Sequence, residues 1–539
     1  MKIDPIHLKY NRFIRDYRQQ TDQMKAYFEY NPFSSFEKRL DYLDKNEYQR
    51  KELVEVLLEM NKNWGADTAV HQNIKRLESK NSVVVIGGQQ AGLLTGPLYS
   101  INKIISIIKL AKQEEEKLKR PVVPVFWIAG EDHDFDEINH VNIKTETGLK
   151  KHTVQQIPEF KQSISEINID SKKAGKWLAD IYLELNESYY SKVVYQDLLD
   201  MLKQSKTYVD FFAKLINKLF ENTGLVLVDS GNRLLRKLET KYFMTLIENQ
   251  ELIAKSVFES LRSLHENNYS ISLDADKDDG HLFFHDNHGE RILLKKTNSD
   301  LWEGKNQEIN LSTAELVEIA KHSPHRLSNN VVTRPLMQEW LFPTLAFVGG
   351  YGEISYWASL KGAFKEVGLE MPPVVPRYSI TYIPQTLDKI LEKNNINLTE
   401  AINQGVNHLK LNWLSNQTNA PIELLVREMN KSIKELHLPL QEVAADLGED
   451  LKQLAETNLN KIYETTEFLE KRLLREINHK YKKQIDEYDL ITSYLYPDNG
   501  LQERVFNPLL FINDNGFEII KEIINLPFTF EEDHYLVRL

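Results

Sequence analysis

Apolar positions along this chain repeat in two ways. Val83-Val84-Val85-Ile86 and Val125-Phe126-Trp127-Ile128 are unbroken β-branched or aromatic runs, the pattern of strands covered on both faces in a parallel sheet. Leu225 to Val228, Thr344 to Val348 and Val374 to Thr381 repeat that pattern. Between the runs, apolar residues recur at three and four. Ile101, Ile104, Ile105 and Ile108 predict a helix that opens at Pro97, a residue suited to a first turn because its missing N–H is not needed there. Strands alternating with helices predict an open α/β sheet, with its ligand crevice at the C-terminal strand ends.

Other stretches read as additions to that core. Residues 6–80 carry helical spacing, including Leu40, Leu43, Leu53, Val54, Leu57 and Leu58, and predict an N-terminal helical layer. Residues 141–224 read as an insertion: a hairpin over Val141 to Gln156 turning near Thr147-Gly148, then helices from Ser171 to Phe220. A second insertion, about 268–310, alternates as antiparallel strands at Tyr269 to Leu273, Gly280 to His285, Glu290 to Lys296 and Leu301 to Gly304. These belong to a core of residues 1–383. From 384 to 495 glycine and proline become rare, and Leu459, Ile462, Thr466, Leu469, Leu473 and Ile477 form a heptad-like seam. With a helix over Ile422 to His437 this predicts an antiparallel helical arm that needs a partner to cover it, hence a homodimer. Residues 496–539 return to mixed apolar structure and are expected to dock back on the core.

Composition narrows the class. A length of 539 residues implies two or three domains. The hydrophobic share of 41% and the absence of any run near the roughly 18–20 apolar residues of a membrane span fit a soluble protein without a membrane partner. No apolar signal core follows Met1, so a cytoplasmic location is expected. A net charge of −12 argues against nucleic acid as the main partner. Cysteine is absent, which excludes disulfides, thiolate zinc sites and cysteine nucleophiles.

The candidate chemistry sits at strand exits. The first run ends in Gly87-Gly88-Gln89-Gln90-Ala91-Gly92 and continues to Gly96-Pro97. Its glycines permit close backbone approach, and a helix start there welcomes an anion. The spacing is neither a Walker A loop nor G-x-G-x-x-G. The second run ends in Glu131-Asp132-His133-Asp134, with Asp136, Glu137 and His140 following. That group can bind a divalent metal, act as acid and base, or hold an amine; its spacing is not the H-E-x-x-H of zinc hydrolases. Asp229-Ser230 and Gly349-Gly350 mark two further exits. Arg334 and Arg377 are the cations best placed for phosphate or carboxylate. The turn Tyr496 to Arg504, with Asn499 and Gln502, offers polar groups to the cleft or to a nucleotide.

Four segments together resemble one family across the chain, the cysteine-adding ligases of bacillithiol biosynthesis: Gly88 to Tyr99, Phe126 to Asp134, Arg334 to Gln338 and Tyr496 to Arg504. The resemblance implies a Rossmann-like parallel-sheet core similar to class I nucleotidyltransferases, inserted connecting segments and a coiled-coil arm that makes a dimer. It implies the last pathway step, cysteine joined to glucosaminyl-malate, with ATP as the adenine nucleotide that activates the carboxylate; a divalent metal stays open, and no residue is assigned as a metal ligand. Related folds hold phosphates with His-x-Gly-His after the first strand, whereas here Gln89, Gln90 and Gly92 take those places. On this reading Gln89, Gln90, Gly92, Gly96, Arg334 and Arg377 bind substrate, and charge comes from Lys103, Arg334 or Arg377. Asp132, His133 and Asp134 handle the amine, with His133 as base, and Tyr496, Asn499, Gln502 and Arg504 meet the nucleotide. A non-catalytic nucleotide-binding scaffold and a metal-dependent hydrolase or transferase are the alternatives.

Overall fold

A computed structural model describes residues 1–34, 36–145, 148–297, 300–417 and 421–539. The chain divides into two compact units, Met1–Tyr382 with Gln502–Leu539, and Ile383–Leu501. The first is built on a five-stranded parallel sheet: β1 (Val83–Gln89), β2 (Val122–Ile128), β3 (Val226–Asp229), β4 (Thr344–Gly349) and β5 (Val374–Pro376). Their spatial order is β5-β4-β1-β2-β3. The chain steps outward from β1 to β3, then returns to the other side of β1. The order therefore reverses between β1 and β4, and a crevice opens there at the strands' C-terminal ends. This is the Rossmann-like parallel sheet expected from the sequence.

The continuous Val/Ile runs are buried throughout because helices cover both faces. Helix α1 (Tyr99–Leu118) buries Ile101, Ile104, Ile105, Ile107 and Ile108 against the sheet. On the edge strand β3 the buried amide of Asn61, from the N-terminal helical layer, pairs with both backbone groups of Leu227, at 2.8 and 3.2 Å. A side chain thus closes an edge that would otherwise present open hydrogen-bonding groups.

The insertions form a hairpin of His140–Thr145 with Gly148–Thr153 and an antiparallel sheet that includes Asp279–His285, Arg291–Lys296 and Leu301–Gly304. The expected turn residue Thr147 lies outside the described residues. Tyr269 to Leu273 forms no strand; Tyr269 is instead buried under Phe13 and Tyr27, so its apolar character serves packing. The run Val374 to Thr381 divides between β5 and Ile380–Ile383, which joins a sheet with Lys2–Ile6 and His534–Arg538.

The second unit is helical and contains a hairpin, α2 (Ile422–Leu447) and α3 (Glu449–Lys480), that turns at Gly448 with φ +152°. Helix α2 runs past the predicted end at His437 and through Pro439. Pro439 is exposed, and so is the residue four before it, so the carbonyl that loses its partner lies on the solvent side of the helix. Of the predicted seam, Leu459 and Thr466 are buried, whereas Leu469 and Leu473 are exposed. Among the described residues no helix is long and apolar enough to cross a membrane.

Candidate functional site

Close packing at the end of β1 dictates its glycines. A Cβ on Gly87 would meet the Val348 carbonyl of β4 at 2.6 Å, and one on Gly88 the Trp127 carbonyl of β2 at 2.5 Å. The chain then turns through Leu94, Thr95 and Gly96, all at positive φ (49°, 74° and 69°). Two consecutive non-glycine residues in that region carry strain. The side chain of Asn507 donates to the Leu94 and Gly96 carbonyls at 3.0 and 2.7 Å, so the C-terminal segment clamps the strained turn. A Cβ on Gly92 would lie 2.8 Å from the Gly96 Cα, which excludes a side chain at Gly92, whereas Gly96 is favoured by its positive φ.

Lys103, fully buried on α1, sits beneath the crevice between β1 and β4. It donates to the Gly88 carbonyl at 2.7 Å, to Gln89 Oε1 at 2.8 Å and to the Glu353 carboxylate. Glu353 in turn accepts from the Gly350 amide at 2.8 Å. One ammonium thereby ties the two glycine-rich exits together. Burial lowers the Lys103 pKa, and Glu353 works against that shift. Because lysine only donates, the Gln89 atom facing it is the oxygen, and the amide nitrogen with its two protons points away, available to an anion.

Gln90 has the opposite polarity. Its Nε2 donates to Asp132 at 3.0 Å and to the Glu137 carboxylate. Consecutive glutamines therefore separate the strand ends into a wall with free donors, towards β4, and an acidic wall, towards β2. On the acidic wall Asp132 also accepts from Arg291 at 3.3 Å, and burial opposed by Arg291 and Arg334 leaves its carboxyl below the usual range. Arg291 Nη1 lies 3.1 Å from His133 Nδ1. An arginine cannot accept, so Nδ1 does, and the neutral ring carries its proton on Nε2. Burial first, then Arg291, lowers the His133 pKa and keeps the ring uncharged. Asp134 caps the short helix Phe135–Ile138 by accepting from the Glu137 amide at 3.3 Å.

Behind this wall Glu131 is buried between two guanidinium groups, Arg236 at 2.5 Å and Arg334 at 2.7 Å, and its pKa falls to about 2. Arg236 also pairs with Glu239, whose pKa burial raises to about 7. Glu131 has Arg334 and Arg291 as further cations and Glu239 does not, so Glu131 holds the negative charge.

The predicted residues thus divide. Gln89, Gln90, Gly92, Gly96, Asp132, His133 and Asp134 converge on the β1 and β2 exits. Arg334 points at Glu131, and Arg377 forms a bidentate pair with buried Glu503, both bonds 2.7 Å; each guanidinium thus has a structural carboxylate partner. Gln502 is buried and exchanges hydrogen bonds with the Tyr382 backbone, both 2.9 Å, as a bolt for the C-terminal segment. Arg504 is exposed in the first unit, whereas Tyr496 and Asn499 belong to the second. Arg291 had no local signal, since it reaches the loop from an insertion strand 159 residues away. Among the described residues no three His, Asp or Glu side chains group as metal ligands.

Family comparisons agree with this architecture. Residues 1–378 match the bacillithiol biosynthesis BshC N-terminal Rossmann-like domain, and residues 380–539 its C-terminal coiled-coil domain. Proteins named "Putative cysteine ligase BshC" from Oceanobacillus iheyensis, Bacillus anthracis and Bacillus cytotoxicus are 42%, 39% and 38% identical, each over 100% of both chains. With both domains matched in order along its whole length, the chain belongs to the bacillithiol biosynthesis BshC family.

Proposed function

We propose that the chain joins cysteine to the amine of glucosaminyl-malate through a cysteine carboxylate activated by ATP, and so forms the amide of bacillithiol. The observation that carries this reading is the opposite polarity of Gln89 and Gln90. Amide formation needs an anion, the activated carboxylate with its phosphate, beside a cation, the incoming ammonium. The Gln89 N–H groups and the turn amides suit the first. Asp132 and Glu137 suit the second. In the chemical step the amine nitrogen attacks the carbonyl carbon, the C–N bond forms, and the C–O bond to the phosphate breaks. The amine proton passes to His133, held neutral and hence able to accept it. The Arg291 hydrogen bond to Nδ1 opens as the amine arrives.

The cysteine ligase names of the relatives support the reaction class. Homodimerisation is supported by a heptad-spaced stripe on α2, Leu425, Met429, Leu436, Leu440, Val443 and Leu447, in which Leu436 is 79% and Leu447 71% exposed. A chain using ATP and handling a free thiol without cysteines of its own suits the cytoplasm.

The test is mass spectrometry of glucosaminyl-malate, cysteine and ATP incubated with purified protein. A thiol product heavier than glucosaminyl-malate by one cysteinyl residue is expected, with ADP or AMP reporting acyl-phosphate or acyl-adenylate. Product formed equally without nucleotide, or none under any condition, refutes the reading. His133→Ala should lower turnover by about 10²-fold or more. His133→Asn keeps an acceptor for Arg291 but takes no proton, and its recovery of activity would reduce His133 to positioning.

A further inference from the structure

The exit of β3 carries a feature that the ligation does not use. A cavity of ≈ 360 Å³ opens there, walled by Trp64, Ser165, Asp210, Asp229 and Arg233, with Glu59 on its exposed rim. Asp229 is 5% exposed. Its two hydrogen bonds, from Ser165 Oγ at 2.8 Å and the Gly231 amide at 2.9 Å, both fall on Oδ1. Oδ2 is left without a protein donor, on a carboxylate that lines a cavity. A carboxylate oxygen only accepts, so what meets Oδ2 there must be a donor or a cation.

The surroundings keep that geometry. A Cβ on Gly130 would lie 2.2 Å from both Asp229 Oδ1 and Ser165 Oγ, and one on Gly231 would lie 2.3 Å from Ser165 Oγ. Both glycines admit the close approach of backbone that fixes Ser165 and, through it, the Asp229 rotamer. Asp210 already accepts from Trp64 Nε1 at 3.0 Å, and Glu166, which pairs with Arg233 at 3.0 Å, is exposed like Glu59, so Asp229 is the buried lining carboxylate with an open oxygen. Four acids and one arginine line the cavity. Met60, Val209, Leu234 and the Trp64 ring give it an apolar lining, and the charge balance favours a cation.

We propose that this cavity is a second binding site, distinct from the Asp132 wall, for a primary ammonium group on a small molecule, with Asp229 Oδ2 as its acceptor. The volume admits a body the size of an amino acid or an amino sugar. Burial raises the Asp229 pKa to about 6, and a bound ammonium would restore the ionised form.

Calorimetric titration of the full chain, without nucleotide, tests the site with L-cysteine and D-glucosamine and with their N-acetyl forms. At least one amine should bind, and N-acetylation or Asp229→Asn should each weaken that binding about tenfold or more. Glu59→Gln, on the exposed rim, should weaken it about twofold and keeps the test open should Asp229→Asn not fold. The component of binding that Asp229→Asn removes should persist in Asp132→Asn. Binding lost in Asp132→Asn but kept in Asp229→Asn belongs to the ligation site and overturns the second one. Absence of any amine binding at millimolar concentrations also overturns it. Neither result depends on turnover, so a failure here is separate from a failure of the proposed ligation.

Discussion

Replacing Glu131 by glutamine changes one oxygen for an NH₂ group in the most charge-dense part of the core. The carboxylate accepts from Arg236 at 2.5 Å, Arg334 at 2.7 Å and the Asn329 amide at 3.2 Å. Each of these partners is a donor, so the new NH₂ confronts donors and at least one guanidinium is left unpaired inside the protein. Two estimates of the loss agree. Glu131 titrates at about 2 instead of its ordinary value near 4.5, which at about 1.36 kcal/mol per pH unit corresponds to ~3 kcal/mol. Removing one partner of a buried ion pair costs about 3–5 kcal/mol in general. The carboxyl pKa is depressed in the folded state, so its contribution is complete above pH 4.5 and is lost as pH falls towards 2. Urea unfolding followed by the fluorescence of buried Trp127 and Trp357 should therefore show the first unit of Glu131→Gln weaker by ~3 kcal/mol at pH 7, and by clearly less at pH 3.5. A loss under ~1 kcal/mol at pH 7, or one that does not shrink in acid, would refute the assignment of the charge to Glu131.

Further outcomes follow from the same geometry. Lys103→Met frees the Gln89 amide and separates the two glycine-rich exits, so kcat/KM should fall about 10²-fold, mostly in kcat; a variant with native activity would show that the tie between β1 and β4 is dispensable. Asp229→Asn should stabilise the protein at alkaline pH. The Asp229 pKa is raised from 3.8 to about 6, so ionisation penalises folding increasingly as pH rises through that window, and the variant should gain up to ~3 kcal/mol at pH 8 and little at pH 4. Equal urea midpoints for variant and parent at pH 8 would contradict this. If the proposed homodimer pairs through α2, Leu436→Glu with Leu447→Glu should leave helicity intact and halve the mass seen by light scattering; an unchanged mass would remove α2 from the proposed interface.

The sequence by itself determined the local pieces. Runs such as Val83 to Ile86 are apolar on both faces, a pattern that only a covered strand satisfies, so the parallel strands and their polar exits were legible directly. The glycines of the first exit were legible too, though their reason lay elsewhere: the carbonyls of Val348 and Trp127, on neighbouring strands, leave no room for a Cβ. Only the tertiary structure decided polarity. Gln89 and Gln90 are chemically identical side chains, and what separates them is that Lys103 reaches one and Asp132 the other. Likewise Arg334 and Arg377 read along the chain as the cations best placed for phosphate or carboxylate, and the carboxylates they meet, Glu131 and Glu503, lie 203 and 126 residues away. Arg291, which sets the tautomer of His133, arrives from an inserted strand. Periodicity reports which face of an element is buried, because burial follows the repeat of that element. The charge and protonation state of a site depend instead on partners that chain folding brings together, and no local pattern records them.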